Sequence, residues 1–166
     1  LYLQQFVDSV FVSIDSTVVN NEFEFNLGTE IIEPDIYYLY LDKVDGDSIN
    51  DRIKFFGDSG EITINSRLIT FDSNAEISGS KNQTLMEEYQ LIIRKFNLEN
   101  LDLLEIYYDS QINGNNKRFD SVNDAINNLI KRKYLYSLNF AATNADYEIS
   151  PFILTTEVPD ANKELL

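Results

Sequence analysis

Arg118–Phe140, RFDSVNDAINNLIKRKYLYSLNF, is the stretch whose reading decides the fold. Asp120 is placed to cap a helix, Phe119 to staple it, and Asp124 to meet the positive end of its dipole. Val122, Ala125, Ile126, Leu129 and Ile130 follow at helical spacing, with Asn123, Asn127 and Asn128 on the other side. Lys131, Arg132 and Lys133 then fall where a last turn would welcome cations. Past them the period changes to two: Tyr134, Tyr136, Leu138 and Phe140 alternate with Leu135, Ser137 and Asn139. The pattern predicts a helix ending near Lys133 and running into a strand whose aromatic face floors it. The three cations also suggest a phosphate or nucleic-acid patch. The helix-dipole reading is preferred, because the chain as a whole repels polyanions.

Toward the N-terminus, Gln111–Lys117 reads as a loop around Gly114 and Leu101–Tyr108 as a strand. Thr84–Phe96 reads as a helix opened by the capping box Thr84-x-x-Glu87, with a hairpin of Tyr89–Phe96 and Leu101–Tyr108 as the alternative. Asp72–Gln83 is a polar connection. Before it, strands are expected over Phe6–Val19, Glu22–Leu27, Ile36–Leu41, Arg52–Phe56, Glu61–Asn65 and Arg67–Phe71, with turns at Asn20-Asn21 and Gly57–Gly60. Ile36–Leu41, IYYLYL, is apolar or aromatic on both faces and belongs in the middle of a sheet. Toward the C-terminus, Ala141–Asp146 is a turn, Tyr147–Ile149 and Phe152–Val158 form an edge strand interrupted by Pro151, and Pro159–Leu166 is a flexible tail. The class expected is α+β: a mostly antiparallel sheet or sandwich with one or two helices packed on it. One domain over residues 1–166 is expected, the alternative being a boundary near 74–83.

Composition narrows the chemistry. The chain has 166 residues, 43% of them hydrophobic, including 10 Tyr and 11 Phe, which argues against disorder. No apolar run reaches the ~20 residues a membrane helix needs, so a soluble protein without membrane insertion is expected. Neither a cytoplasmic nor an extracellular or virion setting is selected. No signal-peptide pattern opens the chain, and a start at Leu1 rather than methionine reads as a chain processed, trimmed or cut from a longer protein. With no cysteine and no histidine, disulfides, thiolate and imidazole metal sites, Ser-His-Asp relays and histidine pH switches are excluded within this chain. The formal charge is −15 and uneven: Leu1–Ser80 holds 15 acidic and 4 basic residues, Lys81–Leu166 13 and 9. Direct nucleic-acid binding works against that field.

The motifs offer little catalysis. Gly57-Asp58-Ser59-Gly60 matches the string around the nucleophile of chymotrypsin-like proteases, but that chemistry needs a histidine base, and a turn accounts for the residues. Asp42, Asp45, Asp47, Asn50 and Asp51 gather oxygen ligands as candidates for a structural calcium, the one metal considered. EF-hand spacing is not met, and a solvated Asp-Gly turn is the preferred reading. No other cofactor is expected. Two carboxylates across a cleft suffice for glycoside hydrolysis, but with 28 acids their proximity carries no information. No P-loop or Rossmann glycine pattern occurs. Asn82-Gln83-Thr84 is a glycosylation sequon, and the aromatic residues are taken mainly as core rather than as sugar platforms.

The expectation is therefore a non-catalytic interaction or assembly module, such as a structural component of a virus particle or surface appendage. Its partners would be proteins, either copies of itself or a basic protein. The alternatives are an acidic inhibitor or immunity-type protein, and a carbohydrate- or calcium-binding adhesion domain.

Overall fold

The computed structural model describes residues 1–30, 34–46 and 49–158. They form two compact units, Leu1–Thr84 and Leu85–Leu166. The class is α+β, with a four-stranded antiparallel sheet, a two-stranded sheet and three α-helices among the described residues.

In the first unit the main sheet has the order β2-β1-β3-β4, built from β1 (Tyr2–Val7), β2 (Val10–Ser16), β3 (Asp35–Tyr40) and β4 (Arg52–Gly57). The expected central strand is central. The expected strand Phe6–Val19 is instead broken by a two-residue turn, with Asp8 at φ 49° and Ser9 at φ 68°. Two consecutive left-handed residues give the tight hairpin twist that joins Val7 to Val10. Leu3 pairs with Asp15 and Gln4 with Ser13, so Ile14 is bulged. Glu22–Leu27 is not a strand. Asn20 Oδ1 accepts the N–H groups of Glu22 (2.9 Å) and Glu24 (2.8 Å), which folds the segment over itself while Phe25 and Leu27 pack on the sheet.

One core cluster of this unit lies on one sheet face: Leu3, Tyr37, Leu39, Ile53 and Phe55, joined by Phe71. Burying a side chain such as Leu39 is worth about 1.5–3 kcal/mol. Ile64 of β5 (Thr63–Asn65), Ile77 of β6 (Glu76–Ser78) and Ile62 just ahead of β5 cover it; the two strands pair within segments expected as a longer strand and a polar connection. Arg67–Phe71 holds a 3-10 turn, Leu68–Thr70, in place of the expected strand. Ser66 Oγ donates to the Phe71 carbonyl and closes the turn.

In the second unit the sequence reading of strands fails. The long helix α1 (Lys81–Ile112) contributes its first four residues to the first unit and the rest here; α2 spans Asn116–Thr143 and α3 Ile149–Thr156. Leu101–Tyr108 continues α1, since nothing between Lys81 and Ile112 is Gly or Pro to stop it. The expected strand Tyr134–Phe140 is the last third of α2, and the Lys131–Lys133 cluster sits mid-helix rather than at an end. Its buried line is Val122, Leu129, Ser137 and Ala141, so two of the inward positions are small residues that an apolar-pattern search passes over. The aromatics pair across the helices: Tyr89 stacks on Tyr136 (5.7 Å) and Tyr107 meets Phe119 (4.7 Å). Asn115, not Asp120, caps α2, its Oδ1 accepting the Arg118 N–H at 3.1 Å. Likewise α1 starts before Thr84, and its cap is Ser80, whose Oγ accepts the Gln83 N–H at 3.0 Å. The expected final edge strand is α3: Pro151 lies in its first turn, where no backbone N–H is required. The tail proposed for 159–166 lies outside the described residues.

Candidate binding surface

Strand alternation gives the main sheet two chemically different faces. One is the core face just described. Beside it lies an open cavity of about 1070 Å³, floored by Leu3, Tyr37, Leu39 and Phe55 and walled by residues 17–29 and 57–65. Among the described residues that line it, the ionisable side chains other than Tyr37 are Glu24, Asp58 and Glu61, with no Lys or Arg.

The other face carries Tyr2, Gln4 and Phe6 of β1, Phe11 and Ser13 of β2, Ile36, Tyr38 and Tyr40 of β3, and Arg52, Lys54 and Phe56 of β4, as the strand registers require, with Ile36 and Phe56 buried. It has two cations and no carboxylate among these positions, in a half of the chain with four basic residues from Leu1 to Ser80. Arg52 is the organising group. Its Cζ lies 4.4 Å from the Phe11 ring centroid and 4.3 Å from that of Tyr40. Its Nε donates to Gln4 Oε1 at 3.2 Å, and Gln4 Nε2 donates to Ser13 Oγ at 3.1 Å. Phe6 and Tyr38 pack on Phe11 with ring centroids 4.9 and 5.0 Å away. Burial, and secondarily the Asp35 carboxylate, pushes the Tyr38 phenol above its ordinary 10.0, so it remains a neutral donor.

The two edges of this sheet differ. At β4, Gln83 reaches back from the first turn of α1, and its Oε1 accepts the Phe56 N–H at 2.7 Å. At β2, Val10, Phe11, Val12 and Ile14 are all exposed, and the run from Val10 to Ile14 carries no charge. Such a row of unpaired backbone groups is a template for another strand.

The residues singled out from sequence are distributed as follows. Asp42 and Asp45 are exposed, and Asp42 Oδ1 accepts the Val44 N–H at 3.0 Å. Asn50 is exposed with φ 60°, and Asp47 lies outside the described residues. Asp51 is 1% exposed and ion-paired with Lys43. Among the described residues no group of three or more Asp, Glu, His or Cys is placed to hold a metal ion. In the Gly57–Gly60 turn, Asp58 Oδ2 accepts Ser80 Oγ and Asn82 Nδ2, both at 2.8 Å, while Ser59 is exposed. That Asp thus braces the start of α1. The same bond holds the sequon residue Asn82, which is 7% exposed in the folded chain. Of the Lys131–Lys133 cluster, Arg132 pairs with Glu99 and Lys133 with Glu157 (3.8 Å). No described helix is long and apolar enough to cross a membrane.

Sequence reasoning passed over Arg52, Gln4 and Gln83. Ser80-x-x-Gln83 is itself a capping-box pattern and was available as a signal for the start of α1. Gln4 and Arg52 carry no local signal, since strand pairing alone brings them together across 48 residues.

No curated protein and no solved structure matches the chain. Residues 1–86, comprising the sheet, its cavity, both edges and the first turn of α1, match the family described as Domain of unknown function (DUF4369), and the chain belongs to that family.

Proposed function

We propose that this chain is a non-catalytic assembly module whose first unit pairs with a second copy of itself through β2. The observation that carries the reading is the contrast between edges: β2 is open and apolar, while β4 is closed at Phe56 by Gln83. One open edge per copy makes an antiparallel pairing isologous, so association stops at a dimer instead of running on into a fibre. Asp8 and Asp15 bracket the apolar run, and a two-fold pairing brings the acids of one copy toward those of the other. Salt screens that repulsion and strengthens association.

Sedimentation equilibrium across concentration and salt tests this. The expected result is a monomer–dimer equilibrium that tightens as salt rises and is abolished by Val12→Lys, with the melting temperature nearly unchanged. A wild-type monomer at every concentration and salt would overturn it.

A second reading, capture of a basic protein, is favoured by the cavity, whose Glu24, Asp58 and Glu61 have no cation among the lining residues. It predicts the opposite salt dependence: association with a cationic partner weakens as salt rises.

A further inference from the structure

The guanidinium of Arg52 is built like a receptor rather than like a surface charge. Two aromatic rings lie against it, its Nε is held by Gln4, and Gln4 is itself buried and tied to Ser13. Its terminal nitrogens, four N–H donors in one plane, have no hydrogen-bonding or ion-pairing acceptor among the described residues. A fixed planar fork matches an acceptor with two coplanar oxygens. We infer that Arg52 anchors a binding site for a carboxylate carried on an apolar body.

Three features select that class. The sheet positions facing the site include Lys54 and no carboxylate, so a monoanion meets a locally positive face. The chain as a whole is at −15, and its field opposes a dianion about twice as strongly as a monoanion, which disfavours phosphate. Beside the fork, Phe6 and Phe11 remain 53% and 40% exposed and offer ring surface to an apolar group attached to the acid. The aromatic surround also lowers the local dielectric, which strengthens a charge-assisted pair.

The acid's source is either a free organic acid or the C-terminal carboxylate of a peptide, and two probes separate them. In wild-type protein labelled with ¹⁵N, the Arg52 side-chain resonances are followed while 3-phenylpropanoate, then acetyl-Val-Phe with a free carboxylate, is titrated, each against its own amide and against inorganic phosphate. The expected result is a saturable shift with at least one acid, none with the matching amide, and weaker binding of phosphate. Saturation with the small acid identifies a free-acid receptor; saturation with the peptide alone identifies a chain terminus. Arg52→Lys, which keeps the charge and loses the fork, should weaken binding about tenfold. Equal response to acid and amide, no saturable shift with either acid, or tighter binding of phosphate would each overturn the inference. The acid–amide comparison uses the wild-type chain, so it decides the matter whatever the variant's fold.

Discussion

Gln83 Oε1 accepts the backbone N–H of Phe56 at 2.7 Å, so a helix side chain occupies the place that a fifth strand would take beside β4. Phe56 is fully buried, and its amide has no access to water. Replacing Gln83 by Ala strands that donor, with an expected loss of about 1–3 kcal/mol in chemical denaturation. It also opens the second edge. With both edges free, association through β2 no longer closes, and sedimentation should show species larger than the dimer. Val12→Lys added to Gln83→Ala should return the assembly to a dimer paired through β4. Loss of stability without larger species would separate the structural role of Gln83 from its role in limiting assembly.

Asp51 is 1% exposed, and Lys43 is the cation it pairs with. Removing one partner of a buried pair leaves an uncompensated charge, which is worse than losing the attraction alone. Lys43→Met should therefore destabilise by roughly 3 kcal/mol. The double variant Lys43→Met, Asp51→Asn should recover part of that loss. A double-mutant cycle by urea denaturation measures the coupling, and additive single effects would show that the pair is not the reason Asp51 tolerates burial.

These contacts also show what was legible in the sequence. The first unit's strands β3 and β4 were readable because IYYLYL and RIKFF are β-prone runs bounded by turn residues. The hairpin at Asp8-Ser9 was not, because its left-handed turn uses no glycine. In the second unit, Tyr134–Phe140 alternates in hydropathy yet is helical, since the buried line runs through Ser137 and Ala141 while the aromatics lie against α1. Helical period and strand period both fit a segment in which small residues point inward. The Arg52 surface could not be read at all, because its parts come from four strands whose pairing is set by tertiary structure.

The start of α2 gives a direct test of that distinction. Asn115 Oδ1 accepts the Arg118 N–H, whereas Asp120 is exposed and already inside the helix. Asn115→Ala should cost about 1 kcal/mol, as loss of an N-cap does. Asp120→Ala should lie within about 0.5 kcal/mol of wild type, as exposed substitutions do. Thermal denaturation of the two variants decides between them, and the reverse ranking would place the helix start at Asp120.

Tyr89 Oη and Ser137 Oγ lie 2.7 Å apart in the buried contact between α1 and α2. Burial pushes the Tyr89 phenol up to about 12; the Ser137 hydrogen bond lowers it somewhat, and the Glu157 charge and Tyr136 raise it. The folded chain therefore holds the phenolic proton more tightly than the unfolded chain, whose value is near the ordinary 10.0. Below pH 10 both states are protonated and the contribution is fully present. Between about 10 and 12 the unfolded state releases its proton first, and stability falls by up to about 1.4 kcal/mol per pH unit. Tyr89→Phe should remove this share of the alkaline loss. At neutral pH it should cost only about 1 kcal/mol, because Ser137 Oγ still donates to the Lys133 carbonyl at 3.1 Å. Urea denaturation of both proteins from pH 8 upward measures the difference, and parallel pH profiles would place the alkaline sensitivity elsewhere than at Tyr89.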